Sequence, residues 1–130
     1  MKLDWLAEPA DGAHDGAPDG AEAMAAVAAG CALLAVAEGA DADAIRARLD
    51  GAPAATFDEA LQRLRAGGPV AEDEALTTVR AVKGDAAQAQ AVARACCRRA
   101  ANGDELAPAQ VAAARRICEA LNLSPTQFGF

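Results

Sequence analysis

The chain reads as an all-α protein, a compact bundle of six or seven helices with an internal two-fold pseudo-repeat. Three observations predict this. Hydrophobic residues are 53% of the 130, much of that alanine, while aromatics are only 3% and tyrosine is absent. Alanine has the highest helix propensity, and the aromatic residues that favour strands are scarce here. Apolar residues recur at steps of three and four, and no stretch shows strand alternation. Finally, Val27-Ala28-Ala29-Gly30-Cys31 is echoed 65 residues later by Val92-Ala93-Arg94-Ala95-Cys96. Each copy runs into a polar break, Glu38-Gly39-Ala40-Asp41 or Asn102-Gly103-Asp104-Glu105, and then another helix.

The N-terminal 1–20 read as a hook and an acidic linker ahead of a helical domain over 21–130. Leu3, Trp5 and Leu6 make a short helical turn whose tryptophan docks on the domain. Pro9–Gly20 carries Asp-Gly pairs at Asp11, Asp15 and Asp19, a turn-forming pattern that two prolines keep from becoming helix. Asp19 is placed to cap a first long helix over about 21–37, buried along Met24, Val27, Cys31 and Leu34. Gly39 breaks it. Asp41 or Asp43 caps a short helix with Ile45 and Leu49 inward, ended by Asp50-Gly51 and Pro53.

Thr56 and Glu59 fit a capping box, which opens a third helix at Thr56 with Phe57, Leu61 and Leu64 on one face. Gly67-Gly68-Pro69 stops it. A fourth helix over about 70–83 buries Leu76, Val79 and Val82, and its Glu72-Asp73-Glu74 suits the helix dipole. Asp85 caps a fifth helix that buries Val92 and Cys96, with Arg94, Arg98 and Arg99 outward. Pro108 stands in the first turn of a sixth, striped by Val111, Ala114, Cys118 and Leu121 and ended by Asn122. Ser124-Pro125 opens a last turn whose Phe128 and Phe130 tuck back onto the bundle.

Net charge is −7 and uneven: residues 1–65 hold 5 basic and 12 acidic side chains, whereas 66–130 hold 7 of each. An acidic surface repels phosphate backbones, so nucleic acid is a poor partner. No apolar run is long enough to span a bilayer, since the most apolar stretch, 20–37, is mostly alanine and carries Glu22. The N-terminus has neither the basic start nor the apolar run of a signal peptide, so the cytoplasm is the expected compartment. Cys31, Cys96, Cys97 and Cys118 have no zinc-site spacing and read as small buried hydrophobes. The one histidine, His14, lies in the linker, so no nucleophile–base pair is available and no enzyme is expected. A thiol reading, with Cys96 or Cys97 meeting an oxidant, is the alternative.

The acidic breaks carry the remaining chemistry. Hard divalent cations take several oxygen ligands, and the C-terminal carbonyls of the preceding helix add partial negative charge. Neither break has the twelve-residue EF-hand spacing.

Four stretches then resemble the TerB family of tellurite-resistance proteins: 29–39, Val82-Lys83-Gly84-Asp85, 92–103, and the ending from Ile117 to Phe130. The similarity spans about 21–130 in order and spacing. It implies an all-α fold of two related halves and a cytoplasmic role in the response to tellurite and other stress. It also implies a divalent metal held between two Asp-Gly loops, and links to the membrane protein TerC and other Ter proteins. Here the loops read Glu38-Gly39 and Asn102-Gly103. The following glutamates are replaced by Ala44 or Ile45 in the first case, and Gln110 lies near the second. The expected ligands are therefore Glu38, Asp41, Asp43, Asn102, Asp104 and Glu105, holding calcium or magnesium weakly, at roughly millimolar affinity. The expected function is an adaptor that binds partner proteins.

Overall fold

Helix α1, Ala21–Ala35, is the axis on which the other helices are laid. A computed structural model of the chain describes residues 2–6, 20–49 and 51–130. The Asp-Gly linker and Asp19 lie outside the described residues. Sequence spacing predicts one buried stripe on α1. Instead, every residue from Ala26 to Ala35 is buried, while Met24 of the expected stripe is only half-buried. A helix apolar all round belongs in the middle of a bundle. The stripe is misread because alanine carries little hydrophobic weight alone, yet its small side chain lets neighbouring backbones come close.

Around α1 stand α3, Ala52–Ala66, α4, Pro69–Arg80, α5, Ala86–Ala100, and α6, Pro108–Ala120. The short α2, Ala42–Ala47, bridges α1, α3 and α5. Two 3-10 turns, Asp4–Leu6 and Pro125–Phe128, complete the described elements. Among the described residues there is no β-strand, only isolated bridges of Glu105 with Lys2 and with Asn102. The core joins Leu34, Ile45, Phe57, Val79, Leu106, Ile117 and Leu121, all nearly inaccessible, to α1 alanines.

Two helix boundaries differ from expectation. α3 starts at Ala52, behind Gly51 in the N-cap position, so Thr56 lies inside the helix and its capping box does not form. Pro53 is the reason. Its ring presets a helical φ, and its missing N–H costs nothing in a first turn, so it opens the helix instead of closing the one before. Gly20, not Asp19, holds the N-cap position of α1. Asp41 and Asp85 do cap α2 and α5, accepting from the Ala44 and Gln88 amides at 3.1 and 3.2 Å. Asn122 ends α6 with φ +60°, the left-handed conformation asparagine tolerates.

α1 and α5 are both 15 residues long, and Val27 and Val92 occupy the same position counted from the N-terminus. Cys31 and Cys96 do likewise, and all four side chains are fully buried. Beyond those helices the halves diverge. The 6-residue α2 and a long α3 follow α1, whereas the 13-residue α6 and a 3-10 turn follow α5.

The two termini lock together across α5. Trp5 donates its indole N–H to the Phe128 carbonyl at 3.0 Å. Trp5, Phe128 and Phe130 form a ring cluster with centroids 6.1–6.4 Å apart. Arg94 and Arg98 lie over Phe128 and Trp5 at 5.3 and 5.8 Å, where a guanidinium is attracted to the ring face. Arg98 also donates to the Trp5 carbonyl.

Candidate functional site

The loops after α1 and α5 meet at the start of α6. Gly39, at φ +86°, comes so close that an added Cβ would stand 3.2 Å from the Ala107 methyl. The second loop is a closed turn. The Asn102 amide donates to the Glu105 carbonyl at 2.8 Å, the return bond is 3.3 Å, and Gly103 takes φ +69° at the bend. The Leu3 amide donates to the Asp104 carbonyl at 2.9 Å, tying the turn to the N-terminal hook.

Between the loops lies a depression of about 80 Å³ lined by Gly39, Asp41, Arg48, Asn102 and Gln110 among others. Of the six expected ligands, this cleft brings together Asp41 and Asn102. Glu38 and Asp43 are exposed outside it, on the α1–α2 turn and the first turn of α2. Asp104 and Glu105, on the closed turn, do not line it either; Asp104 is half-buried and Glu105 exposed. Among the described residues no group of three or more His, Cys, Asp or Glu side chains converges as a metal site would require.

Two residues in the cleft go beyond the sequence reading. Gln110 is buried, and its carbonyl oxygen accepts the Ala107 amide at 2.9 Å, satisfying one of the orphan donors that begin α6. Its amide donates to the Ala100 carbonyl at 3.1 Å, on the last turn of α5. Arg48, at the end of α2, donates from Nη1 to the carbonyls of Arg99 at 2.6 Å and Ala101 at 2.7 Å. The three carbonyls that close α5 thus each receive a side chain from another element. Those carbonyls carry the negative end of the helix dipole, so a guanidinium there is electrostatically favoured. Gln110 was legible from spacing: Pro108 marks the first turn, and a Gln shortly after it can reach back to the cap amide. Arg48 had no local signal, because its partners are more than fifty residues away.

The four cysteines are buried free thiols. Cys96 interacts with Cys31, and its Sγ lies 3.5 Å from the Val27 carbonyl, as its donor. The hydrogen bond with Cys31 and burial push the Cys96 thiol well up, and burial does the same to Cys97. Cys118 is pushed up to about 11, again mainly by burial. These three are protonated near neutral pH, the form that is a poor nucleophile.

Among the described residues no helix is long and apolar enough to cross a membrane. No protein-family model, curated protein or solved structure matches the chain.

Proposed function

We propose that the chain is a TerB-type adaptor: a small non-enzymatic cytoplasmic protein of the tellurite or stress response that holds partner proteins. The partners to which the resemblance points are other Ter proteins and TerC at the inner membrane face. In this reading the chain is a two-fold pseudo-repeat, and its acidic loops bind calcium or magnesium weakly. One observation carries it most. Two helices of equal length, with the same residues at equivalent buried positions, lead into loops that meet in one cleft with Asp41 and Asn102 on its walls. Oxygen ligands from both loops would let an ion brace one part of the bundle against another.

Arg48 sets the expected strength. Its fixed positive charge on the α5 carbonyls lies beside the same cleft and opposes a divalent ion, which fits affinity of roughly millimolar order. Calorimetric calcium titration of the wild type and Asp41→Asn tests the metal part. Asparagine keeps the helix cap and removes the charge. Binding in the millimolar range that weakens in Asp41→Asn supports the site, and unchanged binding refutes it. The adaptor part is tested in cells that carry the gene: proximity crosslinking should recover a defined Ter-protein set, and deletion should raise tellurite sensitivity. The thiol alternative at Cys96 or Cys97 has no comparable support, since both are buried and held protonated.

A further inference from the structure

Apolar ground opens at the seam between α1 and α6, towards the C-terminal end of α1. Gly39 sits against Ala107 at one end, and the Ile117 side chain reaches Gly30 at the other, so the helices run antiparallel. A groove of about 290 Å³ opens at this seam, lined by Leu33 and Val36, by Leu64 of α3, and by Ala112 of α6 together with the paired Arg116 and Glu72 of α4. A second hollow, about 350 Å³, adjoins it across Ala112, with Val111 and Arg115 on its walls. Val36 is 42% exposed, one of two large hydrophobics so open among the described residues. Alanines on α6 keep the floor low, leaving room for larger side chains from outside.

The ends of the seam carry opposite charge. Beside Gly39 is Glu38, exposed and without an ion-pair partner among the described residues. At the other end stand Arg115, likewise unpaired among the described residues, and Arg116, which pairs with Glu72 on α4. An apolar groove walled by helices suits a further amphipathic helix, read through apolar anchors at helical spacing. We infer that this groove docks one amphipathic helix of a partner protein, with an acidic residue at the Arg115–Arg116 end and a basic residue at the Glu38 end. Opposite charges at the two ends fix the direction in which that helix lies. This rests on the adaptor reading and gives it a surface.

The test uses the full chain and two labelled synthetic helical peptides. Both carry the same leucine stripe; one has glutamates at its first turn and lysines at its last, the other glutamines at both ends, so that net charge is the same. Fluorescence anisotropy should show the charged peptide binding at least about tenfold more tightly than its twin, a difference that falls at raised salt. Arg115→Glu, on an exposed position, should shrink or reverse the preference. Ala112→Arg, which fills the floor, should weaken both peptides about tenfold or more while far-UV circular dichroism stays unchanged. Equal binding of the two peptides, or indifference to both substitutions, overturns the proposal. So does a stable dimer in sedimentation that Ala112→Arg dissociates, because the occupant would then be a second copy. If crosslinking in cells still recovers the same partners from Ala112→Arg, the groove is wrong and the adaptor reading stands.

Discussion

Gly30 is the position where the closest helix packing can be put to a quantitative test. It lies inside α1, where glycine costs about 1 kcal/mol relative to alanine through backbone entropy. On propensity alone Gly30→Ala should stabilise the protein. The tertiary structure reverses the sign. A Cβ there would stand 2.5 Å from Cys96 Sγ and 3.5 Å from Ile117 Cδ1. Ordinary contact needs at least about 3.5 Å, so the sulfur must retreat by roughly 1 Å. It has little room, being fully buried and set against the Val27 carbonyl. Overpacking of this kind costs about 1–3 kcal/mol, which after the propensity gain leaves up to about 2 kcal/mol of destabilisation. Urea unfolding followed by circular dichroism should show a lower midpoint at an unchanged slope. Removing the obstacle provides the control. In a Cys96→Ala background the same Gly30→Ala change should become neutral or stabilising, by up to about 1 kcal/mol. A single variant more stable than wild type, as propensity alone predicts, or a penalty that persists without the sulfur, would refute the close-packing argument.

Three other outcomes are expected. Gln110→Ala removes two hydrogen bonds and strands the Ala107 amide and the Ala100 carbonyl, so stability should fall by about 2–3 kcal/mol in urea unfolding; a loss under about 0.5 kcal/mol would mean water replaces the side chain. Arg48→Met keeps the aliphatic stem and loses the charge on the α5 carbonyls, costing about 1 kcal/mol; amide hydrogen exchange should quicken at the end of α5 and in the 102–105 turn, and unaltered exchange there would count against a bracing role. Native protein should react slowly with thiol reagents at Cys31, Cys96, Cys97 and Cys118, and burial should also make stability sensitive to alkali. Because the folded thiols of Cys96, Cys97 and Cys118 are raised, the unfolded chain ionises first: their contribution is complete below about pH 8.5 and declines as pH rises from there towards the Cys118 value of about 11. Stability that is flat across that window would show that the thiols reach solvent.

Local signals carried the helical architecture a long way. Asp85 announces its cap, and Asp41 or Asp43 that of α2, because a carboxylate reaches an amide three residues ahead, which depends on local backbone geometry; the structure selects Asp41. Trp5, Phe128 and Phe130 were legible as docking groups because a chain so poor in aromatics has few other places for them than its own core. Asn122 was legible as an ending because few residues tolerate its backbone angle. Pro53 shows the limit of local reading: proline suits the residue after a helix and the first turn of the next, and only α3 packing its Phe57 into the core decides between them.

The amino-acid sequence by itself determined that this protein is helical, where most of its helices stop, and that its cysteines belong inside. These properties depend on propensity, on caps a few residues apart and on the cost of exposing apolar groups. Only the tertiary structure decided that α1 is buried on every face from Ala26 to Ala35, that Asp41 and Asn102 share a cleft while Glu38, Asp43, Asp104 and Glu105 stand outside it, and that Arg48 and Gln110 close the end of α5. The physical reason is sequence distance. Arg48 meets its carbonyl partners across more than fifty residues, and contacts of that range are set by how helices pack, which no local spacing records.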